Sequence, residues 1–169
     1  LKESRWGETS YLCHIHIPIE FINCTFEGNI IGFKYIRNQK ESYTTQFHDL
    51  VSFKGCTFKN PLLFKYANFK NIVICKKNSF QEKVDFKYAN FNSQNNFSQS
   101  EFSEQVDFKY ASFKGSSIFE KTTFNELVNF KYDSFSESAQ FQGAFFNDKA
   151  DFRYISFSKK ADFMGARYN

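Results

Sequence analysis

Aromatic and polar positions alternate along this chain with an odd rhythm. From Phe47 onward a ring recurs at steps of 6 and 5 in strict alternation. The series runs Phe47, Phe53, Phe58, Phe64 and Phe69, passes through Cys75 in a ring position, and continues from Phe80 through Phe86, Phe91, Phe97 and Phe102 to Phe163 and Tyr168. On this one register lie 21 of the 25 phenylalanines, so the repeat organises the chain. On an α-helix at roughly 100° per residue, steps of 5 and 6 would divide the rings between two faces about 140° apart. Plain β-alternation needs an even period. The spacing therefore predicts short extended segments, each followed by a corner, wound into a solenoid.

The residue two before each ring supports this. It reads Val51, Cys56, Leu62, Ala67, Val73, and later Val84, Ala89, Asn95, Ser100, Val106, Ala111, Ser117, Thr122, Val128 and Asp133. Most of these are small or β-branched. Two positions apart on an extended chain share a face, so the ring and its small partner both point inward.

A small inward residue, then Asp, Asn or Ser, then Phe, as in Ala89, Asn90, Phe91 and again in Ala150, Asp151, Phe152, resembles the pentapeptide-repeat family. The resemblance covers residues 47–169. It implies an all-β fold, a right-handed quadrilateral parallel β-helix in which each short repeat makes one side. Two departures are visible. The central residue is Phe rather than Leu, and 5 + 6 + 5 + 6 gives a coil of 22 residues, so two sides should carry an extra residue.

Residues 1–46 follow the pattern loosely. Ile15, Phe21 and Phe26 keep steps of 6 and 5, and Gly32, Phe33, Lys34, Tyr35 reads as an early copy of the Phe-Lys-Tyr side. Phe33 precedes Phe64 by nine residues more than one coil, which predicts a loop insertion near 36–44. The chain begins at Leu1 rather than Met, and the register runs to Tyr168 with no capping segment. An open coil end exposes unpaired backbone and core. The family resemblance points to end-to-end dimers. A C-terminal homodimer through Phe145, Met164 and Tyr168, or a further segment, is expected to cover this end.

Composition adds a core built mainly of Phe, because aliphatic residues are few. The net charge of +4 is mild. No run of about 18 apolar residues exists, so no transmembrane helix is expected. The four cysteines, Cys13, Cys24, Cys56 and Cys75, form no CxxC pair and read as core fillers, which favours a cytoplasmic location. His14 and His16 would share one strand face, but two imidazoles do not make a metal site and no third ligand is evident from spacing. No nucleophile elbow or phosphate-cradling glycine loop is present, so neither a catalytic residue nor a cofactor is expected.

Every 22 residues a basic column recurs, Lys65, Lys87, Lys109, Lys131 and Arg153, beside a tyrosine column, Tyr66, Tyr88, Tyr110, Tyr132 and Tyr154. Asp85, Asp107, Asn129 and Asp151 run two residues before the basic column, and Glu82, Glu104, Glu126 and Asp148 form a further acidic one. Another side shows no such regularity, reading Lys70, Asn92, Lys114, Ser136, Ser158. The Lys and Tyr stripe is the candidate interaction face, and a protein is the expected partner. Nucleic acid is disfavoured because the Asp column offsets the positive field. The expected role is a non-catalytic interaction scaffold. The alternatives are a DNA mimic acting on a type II topoisomerase, a role known in the family that needs a strongly negative surface, and a soluble domain of a larger, membrane-attached protein.

Overall fold

The computed structural model describes residues 2–5 and 8–169, with side chains from Glu8 onward. One coil consists of Thr57–Phe58, Leu62–Leu63, Asn68–Phe69 and Val73–Lys76, and Ser79–Phe80 opens the next. Each strand pairs in parallel with its counterpart 22 residues on. Leu62 thus faces Val84, Phe69 faces Phe91, Val73 faces Asn95 and Phe80 faces Phe102. The result is four parallel sheets around one core, a four-sided β-solenoid. No helix among the described residues is long and apolar enough to cross a membrane.

The core geometry follows from the repeat. Neighbouring strands lie about 4.8 Å apart, and this is also a comfortable distance for parallel rings. Copying one Phe up the axis therefore produces a stack: Phe108 lies parallel to Phe86 and Phe130, with ring centroids 5.3 and 5.0 Å away. Rings from opposite sides of the coil, two corners apart, meet near a right angle across the core: Phe108 contacts Phe97 and Phe119 edge-on at 77° and 82°. Rings from Phe80 to Phe119 are fully excluded from solvent, and the small residues, such as Ala89 and Val106, leave space for them.

At three of the small positions a polar residue serves the backbone. Asn78 Nδ2 donates to the Phe53 carbonyl at 2.9 Å, Ser100 Oγ to the Cys75 carbonyl at 2.6 Å, and Thr122 Oγ1 to the Phe97 carbonyl at 3.0 Å. Each reaches back 25 residues to a corner carbonyl of the preceding coil. These buried groups are satisfied, as burial requires.

The extra residue of each long step sits at a corner. Successive strands start at 57, 62, 68, 73 and 79, and the two longer steps are diagonally opposed. Most long corners close with a backbone bond such as Ala67 N–H to the Phe64 carbonyl at 2.9 Å, while the Cys56 and Asn78 amides donate to Asn78 Oδ1 and Ser100 Oγ. Each long corner also holds one left-handed residue. At one corner these are Gly55, Lys77, Gln99, Lys121, Gly143 and Gly165, and at the other the five column tyrosines, with φ of 58° to 65°.

The N-terminal region departs from the sequence reading. Ile15 pairs with Phe47, Phe21 with Phe53, Phe26 with Phe58 and Ile30 with Leu62, so the first coil is offset by 32 residues rather than 22. Gly32 therefore opposes Phe64, and residues 33–35 are not an early copy of the Phe-Lys-Tyr side. A Cβ on Gly32 would meet the Phe64 ring. The residues read as a loop insertion form an antiparallel hairpin, Phe33–Ile36 against Glu41–Phe47, turning through residues 37–40. The long strand Glu41–Phe47 then pairs in parallel with Glu8–Ile15. Tyr11 and Tyr43 stack across that pair at 4.8 Å, and both hydroxyls donate to Glu41. That hydrogen bond helps push the Tyr43 hydroxyl up to about 12.

Cys56 and Cys75 are core fillers, and burial raises the Cys75 thiol far above its usual range. Cys24 is half-buried, whereas Cys13 is exposed and fills no core position. All four thiols are free.

Replacing Phe108 by Ala removes two parallel ring contacts in one stack and two edge contacts. It is expected to cost roughly 3–5 kcal/mol, measured by denaturant unfolding. Asp133 offers a second test. It occupies the inward position that is Ala67, Ala89 and Ala111 in earlier coils, is 1% exposed, and accepts from the Ala111 amide at 2.8 Å. Burial pushes its carboxyl up to about 9, against 3.8 in an exposed chain. Between those values the folded chain holds a proton that the unfolded chain releases, so stability falls as pH rises through the interval. Asp133→Ala should stabilise the protein at pH 7 by on the order of 2–4 kcal/mol and flatten the pH dependence. A thermal melt series from pH 4 to pH 9, spanning roughly those two pKa values, checks both.

Candidate functional site

The tyrosine corner brings the predicted face together. Tyr66, Tyr88, Tyr110, Tyr132 and Tyr154 stack in one continuous ladder, with centroids 4.8 to 5.0 Å apart and ring planes within 7° of parallel. Phe33 closes the N-terminal end of the ladder edge-on to Tyr66 at 4.9 Å. Tyr66, Tyr110 and Tyr132 are about 40% exposed, and Tyr154 is 70% exposed. Each ring is ordered by its neighbours yet presents an edge and a hydroxyl outward.

The lysines lie along the ladder. Lys65, Lys87, Lys109 and Lys131 each place Nζ 4.8 to 5.4 Å from the ring of the tyrosine that follows. Lys109 and Lys131 also reach the next ring up, Tyr132 and Tyr154, at 5.9 and 5.5 Å. These are cation–π contacts, worth about 0.5–1 kcal/mol each when exposed. Arg153 instead turns back onto Asp151, with Nε and Nη2 donating at 2.8 and 2.6 Å, and holds that carboxyl down to about 2.

The acidic column has a structural reason that the sequence alone did not show. Asp85 Oδ1 accepts from the Lys87 amide, Asp107 from Lys109, Asn129 from Lys131 and Asp151 from Arg153, at 2.9 to 3.1 Å. These side chains tie off the amide at the entry to the tight corner, the common use of Asp and Asn two residues before such a donor. The column therefore repeats because the corner repeats, and Asn129 serves as well as Asp.

The tyrosine column has no such excuse in the backbone. A left-handed residue is cheapest as Gly, and an L-residue there costs roughly 1–2 kcal/mol. The opposite corner of the same solenoid alternates between Gly55, Gly143 and Gly165 and the side chains Lys77, Gln99 and Lys121. Tyrosine stands at this position in five consecutive coils, and its rings stack on one another. One stacked pair contributes about 0.5–1.5 kcal/mol, which offsets the strain.

The residues expected to mediate C-terminal association lie in different settings. Phe145 is half-buried one coil before the end, where it pairs with Arg167. Met164 and Tyr168 are exposed on the last coil, with Phe163 beside them.

A second cluster lies at the other end. The 32-residue offset puts His16 next to His48, and the His48 amide donates to the Ile15 carbonyl at 2.8 Å. His16 and His48 stack with centroids 4.1 Å apart, and His14 Nδ1 lies 2.9 Å from His48 Nε2. Burial, then His16, His14 and Lys70, lower the His48 imidazole below its usual value. His48 is the third imidazole that spacing alone did not reveal. The signal was the column read as irregular, since Lys70, Asn92 and Lys114 continue downward from His16 and His48.

At Tyr110, replacement by Gly relieves the left-handed strain whereas replacement by Ala keeps it, and both lose the ring. Tyr110→Gly should therefore be more stable than Tyr110→Ala by about 1 kcal/mol in denaturant unfolding. The reverse order would contradict the left-handed assignment.

Comparison with known proteins places these coils. A family model described as pentapeptide repeats, in nine copies, matches residues 108–156. No curated protein and no solved structure matches the chain with significance. The matched segment lies inside a ring register that runs unbroken from Phe47 to Tyr168, on four parallel sheets. Residues 108–156 match the pentapeptide-repeat family, and the four-sided solenoid of the structure continues their register on both sides.

Proposed function

We propose that this β-solenoid is a non-catalytic scaffold that binds a protein partner along its tyrosine corner. The observation that carries the reading is the ladder itself. Five half-exposed to exposed rings occupy backbone positions where Gly would fold more easily, and the lysines lying over them rim the strip with positive charge. Ordered aromatic rings are efficient contact residues, because little side-chain freedom remains to be lost on binding. The spacing suits a partner that lies along the axis and meets several coils at once. A DNA-like rod acting on a topoisomerase would instead want a negative flank, and this side carries the Lys column.

The test is a variant carrying Tyr88→Ser, Tyr110→Ser and Tyr132→Ser, with its fold verified by circular dichroism. A partner cross-linked to the wild-type chain should lose affinity by about 30-fold or more, the loss expected when contact hot spots are removed. Unchanged binding by the folded variant would exclude this face.

A further inference from the structure

We infer that His14, His16 and His48 form a binding site for a divalent transition-metal ion, with zinc and copper(II) the best matched. These are all three histidines of the chain, drawn from positions 34 residues apart. Their ring nitrogens lie within 4.8 Å of one another. A convergence of every imidazole in the molecule at one surface point is not required by the fold. The inward neighbours Ile15 and Phe47 carry the packing, and other coils place Asn92, Lys114 and Ser136 in the same column.

The backbone pre-forms the site. His14 and His16 alternate with Ile15 and so leave the chain on the same side. His48 is set against them by the parallel pairing of Glu8–Ile15 with Glu41–Phe47. Tetrahedral zinc with nitrogen ligands at about 2.0–2.1 Å needs ligand atoms about 3.3 Å apart. The 2.9 Å contact between His14 Nδ1 and His48 Nε2 must open slightly and the widest separation must close. Ring rotations on two exposed and one half-buried side chain supply both adjustments. An all-imidazole donor set selects zinc, copper(II) or nickel over magnesium and calcium, which want oxygen. Asp49, beside His48, has its Oδ1 engaged by the Leu50 amide at 2.7 Å. Three protein ligands leave the remaining coordination to solvent. Lys70, exposed on the next rung, adds positive charge near the site.

The consequence is mechanical. A bound ion joins the end of the first long strand to the end of the second, across the 32-residue first coil and its hairpin. Among the described residues, this first coil is where parallel pairing departs from the 22-residue offset.

The experiment is calorimetric titration of the chain of 169 residues with zinc chloride. One ion per chain is expected. His14→Gln, His16→Gln and His48→Gln should each weaken binding by about tenfold or more. Cys13→Ser, which removes the neighbouring thiol, should leave it unchanged. No zinc uptake, or a loss smaller than about tenfold for His48→Gln, overturns the site. Should a variant fail to fold, ring-nitrogen NMR of the wild-type chain decides. Zinc must shift the signals of all three imidazoles together, and a shift confined to one or two overturns the proposal.

Discussion

From Phe47 onward the molecule depends on one constraint: each coil hydrogen-bonds to a copy of itself 22 residues away. With parallel pairing at that offset, every side chain sits over its own counterpart. Identity in sequence then becomes contact in space. Phe86, Phe108 and Phe130 form a stack, and so do Tyr88, Tyr110 and Tyr132, for the same geometric reason. The inner stack is dry and supplies the hydrophobic stabilisation. The outer one is half-wet, contributes less, and is held at a strained corner.

This constraint also sorts the polar residues into kinds. Asn78, Ser100 and Thr122 are buried and bond to carbonyls of the coil behind them. Asp85, Asp107 and Asn129 are at the surface and bond to the amide two residues ahead. Both kinds are structural. What is left over, after the backbone has been satisfied, is the tyrosine and lysine ladder and the histidine cluster. Neither is demanded by the corner on which it stands. Asp133 is the exception within the core, a carboxyl in an alanine position, kept protonated by burial.

Legibility varied along the chain for physical reasons. From Phe47 on, each coil has the same length, so counting by 22 finds every contact: core, columns and corners alike. The Asp column was visible as surface charge, but its hydrogen bond to an amide two residues away leaves no trace in composition. Before Phe47 the count fails. The hairpin adds ten residues to the first coil, and the motif at residues 33–35 imitates the repeat while standing one position out of register. His48 was therefore invisible as a partner of His16, although both were in plain view.

The sequence by itself determined the solenoid, its 22-residue coil, the Phe core, and the existence of a Lys and Tyr stripe on one corner. These follow from periodicity, which is a local and repeated property. The tertiary structure alone decided that the tyrosines are left-handed, that the Asp column caps backbone amides, and that three histidines meet. Each of these depends on which residues face each other across an interval of irregular length or through a backbone angle. Periodicity carries neither kind of information, and the hydrogen-bonded pairing of strands supplies both.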